Sequence, residues 1–82
     1  MRIDKFLKNS RLIKRRTIAK DACDQSRIEI NGKAAKPGSV VEVGDHVTLR
    51  IGDNFVTVEV LALTEHLTKG SAKEMYRILD EK

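Results

Sequence analysis

The sequence predicts an α+β fold: two short N-terminal helices packed on a small, mainly antiparallel sheet. Three observations predict it. Apolar residues recur at helical spacing over Arg2–Asn9 and again over Thr17–Gln25, strict alternation of apolar and polar residues begins at Asp45, and turn-forming pairs separate the alternating runs. Eighty-two residues are enough for one hydrophobic core and hence a single domain over residues 1–82, without the bulk for a deep substrate cleft as well.

The first helix, Arg2 to Asn9, places Ile3, Phe6 and Leu7 on one side, with Ser10 one turn on. Asp4 in its first turn suits the positive end of the helix dipole and can also hold a nearby arginine in place. Asn9 and Ser10 favour a break. The second helix is expected to begin near Lys14 or Arg15 and to carry a narrow stripe of Ala19, Ala22 and Cys23, with Ile18 at its edge. Small residues there permit close approach to the first helix.

Ser26-Arg27 ends that helix, and Ile28-Glu29-Ile30 alternates as a strand before Asn31-Gly32, a pair that tolerates the positive φ angles of a tight turn. Lys33 follows at the tip. Lys36-Pro37-Gly38 is a second turn signal, in which proline presets one central position and glycine is expected to supply a left-handed one; Val43-Gly44-Asp45 is a third. Val47, Leu49 and Ile51 then alternate with His46, Thr48 and Arg50, and after Gly52-Asp53-Asn54 the segment from Phe55 to Leu61 alternates in turn. This is an antiparallel hairpin with one face buried. Leu63 to Lys73 reads as a loop. Ser71-Ala72-Lys73-Glu74 has the form of a capping box opening a helix through Leu79, whereas Tyr76 to Leu79 alternates as a strand does; a turn of helix followed by an added edge strand reconciles the two.

Charge is unevenly placed. The net charge is +4, yet residues 1–36 carry eleven Lys/Arg against four Asp/Glu and residues 37–82 carry five against eight. Five cations crowd into Arg11–Lys20, and such a run costs folding energy unless it splays into solvent or meets an anion. Nucleic acid is the obvious anion. With two Phe, one Tyr and no Trp, stacking bases on an aromatic platform is disfavoured.

Catalytic and metal chemistry find little support. The lone Cys23 excludes an internal disulfide, and isolated His46 and His66 do not make a metal-ligand set. Glycines occur singly at turns rather than in a phosphate-binding loop. No enzyme activity and no cofactor are expected. The apolar runs are too short to span a bilayer and the start lacks a signal-peptide core, so a soluble, cytoplasmic monomer is expected.

If the helices pack on the sheet through Phe6, Leu7, Ala19 and Ala22, then Arg2, Arg11, Lys14, Arg15 and Arg16 share one surface with Lys5 and Lys20, and Arg27 and Lys33 flank the short hairpin. An A-form RNA helix displays phosphates and 2′-hydroxyls that such a surface reads by shape. Arginine's planar fork grips phosphate better than lysine's point charge, so Arg2, Arg11 and Arg16 rank highest.

Arg2-Ile-Asp-Lys-Phe-Leu, Arg15-Arg16-Thr17, Ser26-Arg27-Ile-Glu-Ile-Asn-Gly-Lys33 and Val43-Gly-Asp-His-Val, in this order and spacing, resemble the S-four RNA-binding domain, with a core over about residues 2–60 and an extension over 61–82. Within that superfamily, the run Arg2 to Ile18 and the tail Met75-Tyr76-Arg77-Ile78-Leu79 resemble the stand-alone bacterial RqcP (YabO) family. The resemblance implies a factor of ribosome-associated quality control on stalled large ribosomal subunits. It would contact 23S rRNA and peptidyl-tRNA and assist an RqcH-type protein in adding a C-terminal alanine tail to the nascent chain. By position, Arg2 and Arg16 carry over as the RNA contacts. Ser26 departs from the pattern, which usually has glycine there, and this bears on the angle between helix and strand. Two alternatives stand beside this reading: the related heat-shock S-four protein, which binds large subunits bearing nascent chain and tRNA and usually has a longer basic tail, and a basic protein-interaction module not dedicated to RNA.

Overall fold

A computed structural model describes residues 1–63 and 75–82. Helix α1 runs Ile3–Asn9, and the predicted stripe of Ile3, Phe6 and Leu7 is fully buried. The predicted break follows at once. Ser10 is buried with its hydroxyl donating to the Leu7 carbonyl at 3.2 Å, and Arg11 turns into the left-handed region at φ +63°.

Helix α2 runs Arg16–Asp24, starting a residue or two later than the sequence suggests, because Arg15 is still extended (φ −127°, ψ 138°) as the capping residue. Ala19 and Cys23 are buried and Ala22 is half-buried, as the stripe predicts. Ile18 sits at the edge of the stripe, where the spacing places it. It lies one residue, and hence about 100° of helix rotation, away from Ala19, and it is 51% exposed.

The end of α2 resolves the departure at Ser26. The Arg27 N–H donates to the Ala22 carbonyl at 2.9 Å and the Ser26 N–H to the Cys23 carbonyl at 3.0 Å, the paired bonds of a Schellman ending. Ser26 itself adopts the left-handed conformation, φ +59°, that glycine would take at no steric cost. Ser26→Gly should therefore relieve strain of about 1–2 kcal/mol, partly returned through the looser unfolded chain. The expected net gain is up to about 1 kcal/mol, seen as a rise of a few degrees in thermal melting; a fall would mean the serine side chain stabilises this turn.

Five antiparallel strands follow: β1 Ile28–Ile30, β2 Lys33–Ala34, β3 His46–Ile51, β4 Asn54–Val60 and β5 Tyr76–Glu81, in the sheet order β2-β1-β3-β4-β5. Asn31 (φ +52°) and Gly32 (φ +84°) make the two-residue connection between β1 and β2. Lys33 begins β2 rather than sitting at the tip, paired with Ile30. The β3–β4 hairpin has the predicted alternation, with Val47 and Leu49 facing Val58 and Val56 across the ladder. Ile51, at the hairpin end, is exposed instead of buried.

The edge strand expected near the C-terminus is present as β5, whose register on β4 slips between Thr57 and Val58 and leaves Leu79 as the extra residue of a bulge. The capping-box segment 71–74 and the loop from residue 64 onward lie outside the described residues. Met75, just before β5, is fully buried and its carbonyl accepts from the Leu61 N–H at 2.8 Å. One core joins α1 and α2 to one face of the sheet through Ile3, Phe6, Leu7, Ala19, Cys23, Ile28, Val47, Leu49, Val58 and Val60.

Gly38 is a further correction, because it is absent from the left-handed region. A Cβ there would stand 3.1 Å from Nη2 of Arg2, a contact that a shift of a few tenths of an ångström in that exposed side chain relieves. The same segment grips the start of α1 through the backbone, with the Ile3 N–H donating to the Ser39 carbonyl at 2.7 Å and the Val41 N–H to the Met1 carbonyl at 2.9 Å. Arg2 is thus held by its main chain while its side chain stays exposed.

Candidate nucleic-acid interface

The site is built on one buried carboxylate. Asp4 lies on α1 with its side chain only 7% exposed. It accepts the Lys5 N–H at 2.8 Å, and its two oxygens receive Nε of Arg16 at 3.3 Å and Nη2 at 3.5 Å. Arg16 is the first residue of α2, so this fork ties the two helices together at the corner where the basic run emerges. Its side chain remains 50% exposed. Because Nε and one hydrogen of Nη2 serve Asp4, the other guanidinium hydrogens stay available to an outside anion.

Arg2, Asp4, Arg16, Thr17, Lys20 and Pro37 line a single open depression. Three cations surround one carboxylate that is already engaged, so the depression is net positive. The start of α2 adds backbone N–H groups without intrahelical partners, which favour negative charge. The arrangement suits a phosphodiester: charge from Arg2, Arg16 and Lys20, a hydroxyl from Thr17, and a backbone dipole of the right sign.

The predicted cations divide by place. Arg2, Arg16 and Lys20 converge. Arg11, Lys14 and Arg15 are exposed in the connection between the helices, beside the depression rather than in its lining, where they strengthen the local field. Lys5 is half-buried on α1. Arg27 lines a different depression with Ile13, Ile18 and Ile51, and Lys33 lies on the edge strand β2. Thr17 and Pro37 were not singled out from the sequence. Helical spacing offers a signal for Thr17, which precedes Lys20 by three residues; Pro37 arrives only through the long-range pairing of residues 39–41 with 1–3, for which no local signal exists.

The charges on the sheet's solvent face pair with one another across the strands. On the face away from the helices, Arg50 pairs with Glu29 at 3.0 Å, Arg77 with Glu59 at 2.7 Å, and Thr48 bonds Thr57 at 2.9 Å. Their like rows follow from the ladder, since Glu29 faces Thr48 and Thr48 faces Thr57. This face is therefore nearly self-neutralised, and the helical corner dominates the field.

Cys23 lies in the core beneath the site. Burial first, and then the charges of Asp4 and Asp24, push its thiol up from 9.0 to about 11. The folded protein holds the proton where the unfolded chain releases it, so this contribution to stability is full below pH 9 and is lost as pH rises toward 11. Alkylation by iodoacetamide at pH 8 should accordingly be slow until the protein is unfolded by urea; equally fast modification of the folded protein would contradict the burial. Among the described residues, no group of three His, Cys, Asp or Glu side chains is placed to hold a metal ion, and no helix is long and apolar enough to cross a membrane.

A two-helix corner on a five-stranded sheet, with this basic depression, defines a small S4-type domain, and the S4 domain family model matches residues 1–47. The chain is 56% identical over 81 residues to the RQC P-site tRNA stabilizing factor of Bacillus subtilis, covering 99% of this chain and 94% of the relative. It is 51% identical over 81 residues to that of Halalkalibacterium halodurans, covering 99% and 92%. A solved trimeric structure of Vibrio cholerae Heat Shock Protein 15 superposes with a TM-score of 0.87 at 30% identity, covering 96% of this chain and 81% of that one. The chain belongs to the S4 domain family and, within it, to the bacterial family of RQC P-site tRNA stabilizing factors, RqcP.

Proposed function

We propose that this protein is a non-catalytic RNA-binding factor of ribosome-associated quality control. It binds 23S rRNA and the P-site peptidyl-tRNA on stalled large subunits and so assists an RqcH-type protein in C-terminal alanine tailing. The observation that carries this reading is the convergence of Arg2, Arg16 and Lys20 on one depression, in a chain similar over nearly its whole length to relatives named for stabilizing P-site tRNA. Holding a tRNA needs charge and shape rather than bond making, which is what this corner supplies.

Most of the remaining cations fit the same role. Arg11, Lys14 and Arg15 steer the surface toward the phosphate backbone, while Lys5 and Lys33 lie outside the lining of the depression and rank as peripheral contacts; Arg27 lines the other depression. Recovery of a tagged copy from cells tests the proposal. Large subunits carrying peptidyl-tRNA together with an RqcH-type protein are the expected companions. Recovery of whole translating ribosomes, or of no RNA, would sink it, and free large subunits with nascent chain but no tailing machinery would favour the heat-shock reading.

A further inference from the structure

Across α2 from the phosphate depression lies a second one, lined by Ile13, Ile18, Ala22, Arg27, Ile28, Leu49, Arg50 and Ile51. Its floor is core: Ile28 and Leu49 are each 1% exposed. Its rim is open, with Ile18 51% and Ile51 64% exposed. Aliphatic side chains are thus left in water at the mouth of a recess that two arginines flank. Arg50 is already paired with Glu29 at 3.0 Å. Arg27, exposed at the end of α2, makes no side-chain hydrogen bond or ion pair within the described residues.

We propose that this depression docks an acidic, aliphatic segment of a protein partner: one aliphatic side chain seated between Ile18 and Ile51, and a carboxylate on Arg27. RNA is the poorer occupant. The lining offers no aromatic ring to stack a base, and phosphate and ribose do not desolvate isoleucine. A protein side chain does, and an adjacent carboxylate meets the guanidinium fork in a bidentate pair. Helical spacing puts Thr17 and Lys20 on one flank of α2 and Ile18 and Ala22 on the other, so both depressions can be occupied at once. This goes beyond the RNA reading and does not depend on which nucleic acid is bound.

The test installs a photoreactive benzoylphenyl side chain in place of Ile51 in one version of the full chain and in place of Lys20 in another, both expressed in cells and irradiated. The Lys20 position reports the RNA reading and the Ile51 position this inference, so the two fail separately. From position 51 we expect a protein adduct whose mapped peptide carries Asp or Glu beside Leu, Ile or Val. Its yield should fall at least tenfold with Arg27→Glu, a change on an exposed side chain. An adduct to RNA, an adduct to a second copy of this chain, a yield indifferent to Arg27→Glu, or no adduct would each overturn the proposal.

Discussion

Arg16→Ala is expected to weaken RNA binding and to lower thermal stability together, whereas Arg2→Ala should do only the first. Among the described residues, Arg16 supplies two of the three hydrogen bonds drawn to the Asp4 carboxylate, the third coming from the Lys5 N–H. A buried carboxylate stripped of its partners costs about 1–3 kcal/mol, and because half of the Arg16 side chain is in water the lower part of that range applies. For a domain of this size that is a fall of roughly 5–10 °C in melting temperature. The lost phosphate contact should cost about tenfold or more in affinity for tRNA, and the slope of log K against log salt should shrink by about 0.7–0.9. Among the described residues Arg2 makes no such bridge; its guanidinium lies against Gly38 and its backbone does the anchoring. Melting curves and filter binding across a salt series check both variants. Equal melting temperatures would mean that the Asp4 bridge contributes nothing to the fold.

The tie between Arg16 and Asp4 is only half legible in the sequence. Treating Arg16 as an exposed cation gives the expectation that its removal leaves melting unchanged. Asp4 was read correctly as able to hold a nearby arginine, yet nothing local says which one, because the partner lies twelve residues on and across a helix break. The elements themselves were legible for physical reasons. Ile3, Phe6 and Leu7 sit at helical spacing, Val47 and Leu49 alternate, and Asn31-Gly32 favours the positive φ angles found there. Where expectation and structure part, tertiary context decides. Ile51 has the right residue type for a core and the wrong place, at the end of the hairpin. Gly38 marks a turn correctly, but no left-handed φ requires glycine there. Met75 belongs to the core because β5 returns to pair with β4; alternation over Tyr76 to Leu79 announces the strand without saying where it pairs.

Phe6→Ala should have the largest effect on the fold, and it offers a way to separate fold from contact. Phe6 is fully buried at the centre of α1, in a chain with only two phenylalanines. Truncating it to alanine costs about 3–5 kcal/mol, against a total stability of roughly 4–12 kcal/mol for a domain of this length. The melting temperature should fall by roughly 12 °C or more, and RNA binding should fall with the folded fraction, because Arg2 and Arg16 meet only while α1 is seated on the sheet. Adding an excluded osmolyte such as trimethylamine N-oxide favours the compact state without competing for phosphate. It should restore both melting and binding to Phe6→Ala, but restore melting alone to Arg16→Ala. If the osmolyte refolds Phe6→Ala and binding stays lost, then Phe6 does more than hold the corner together, and the packing of α1 itself would have to be part of the RNA contact.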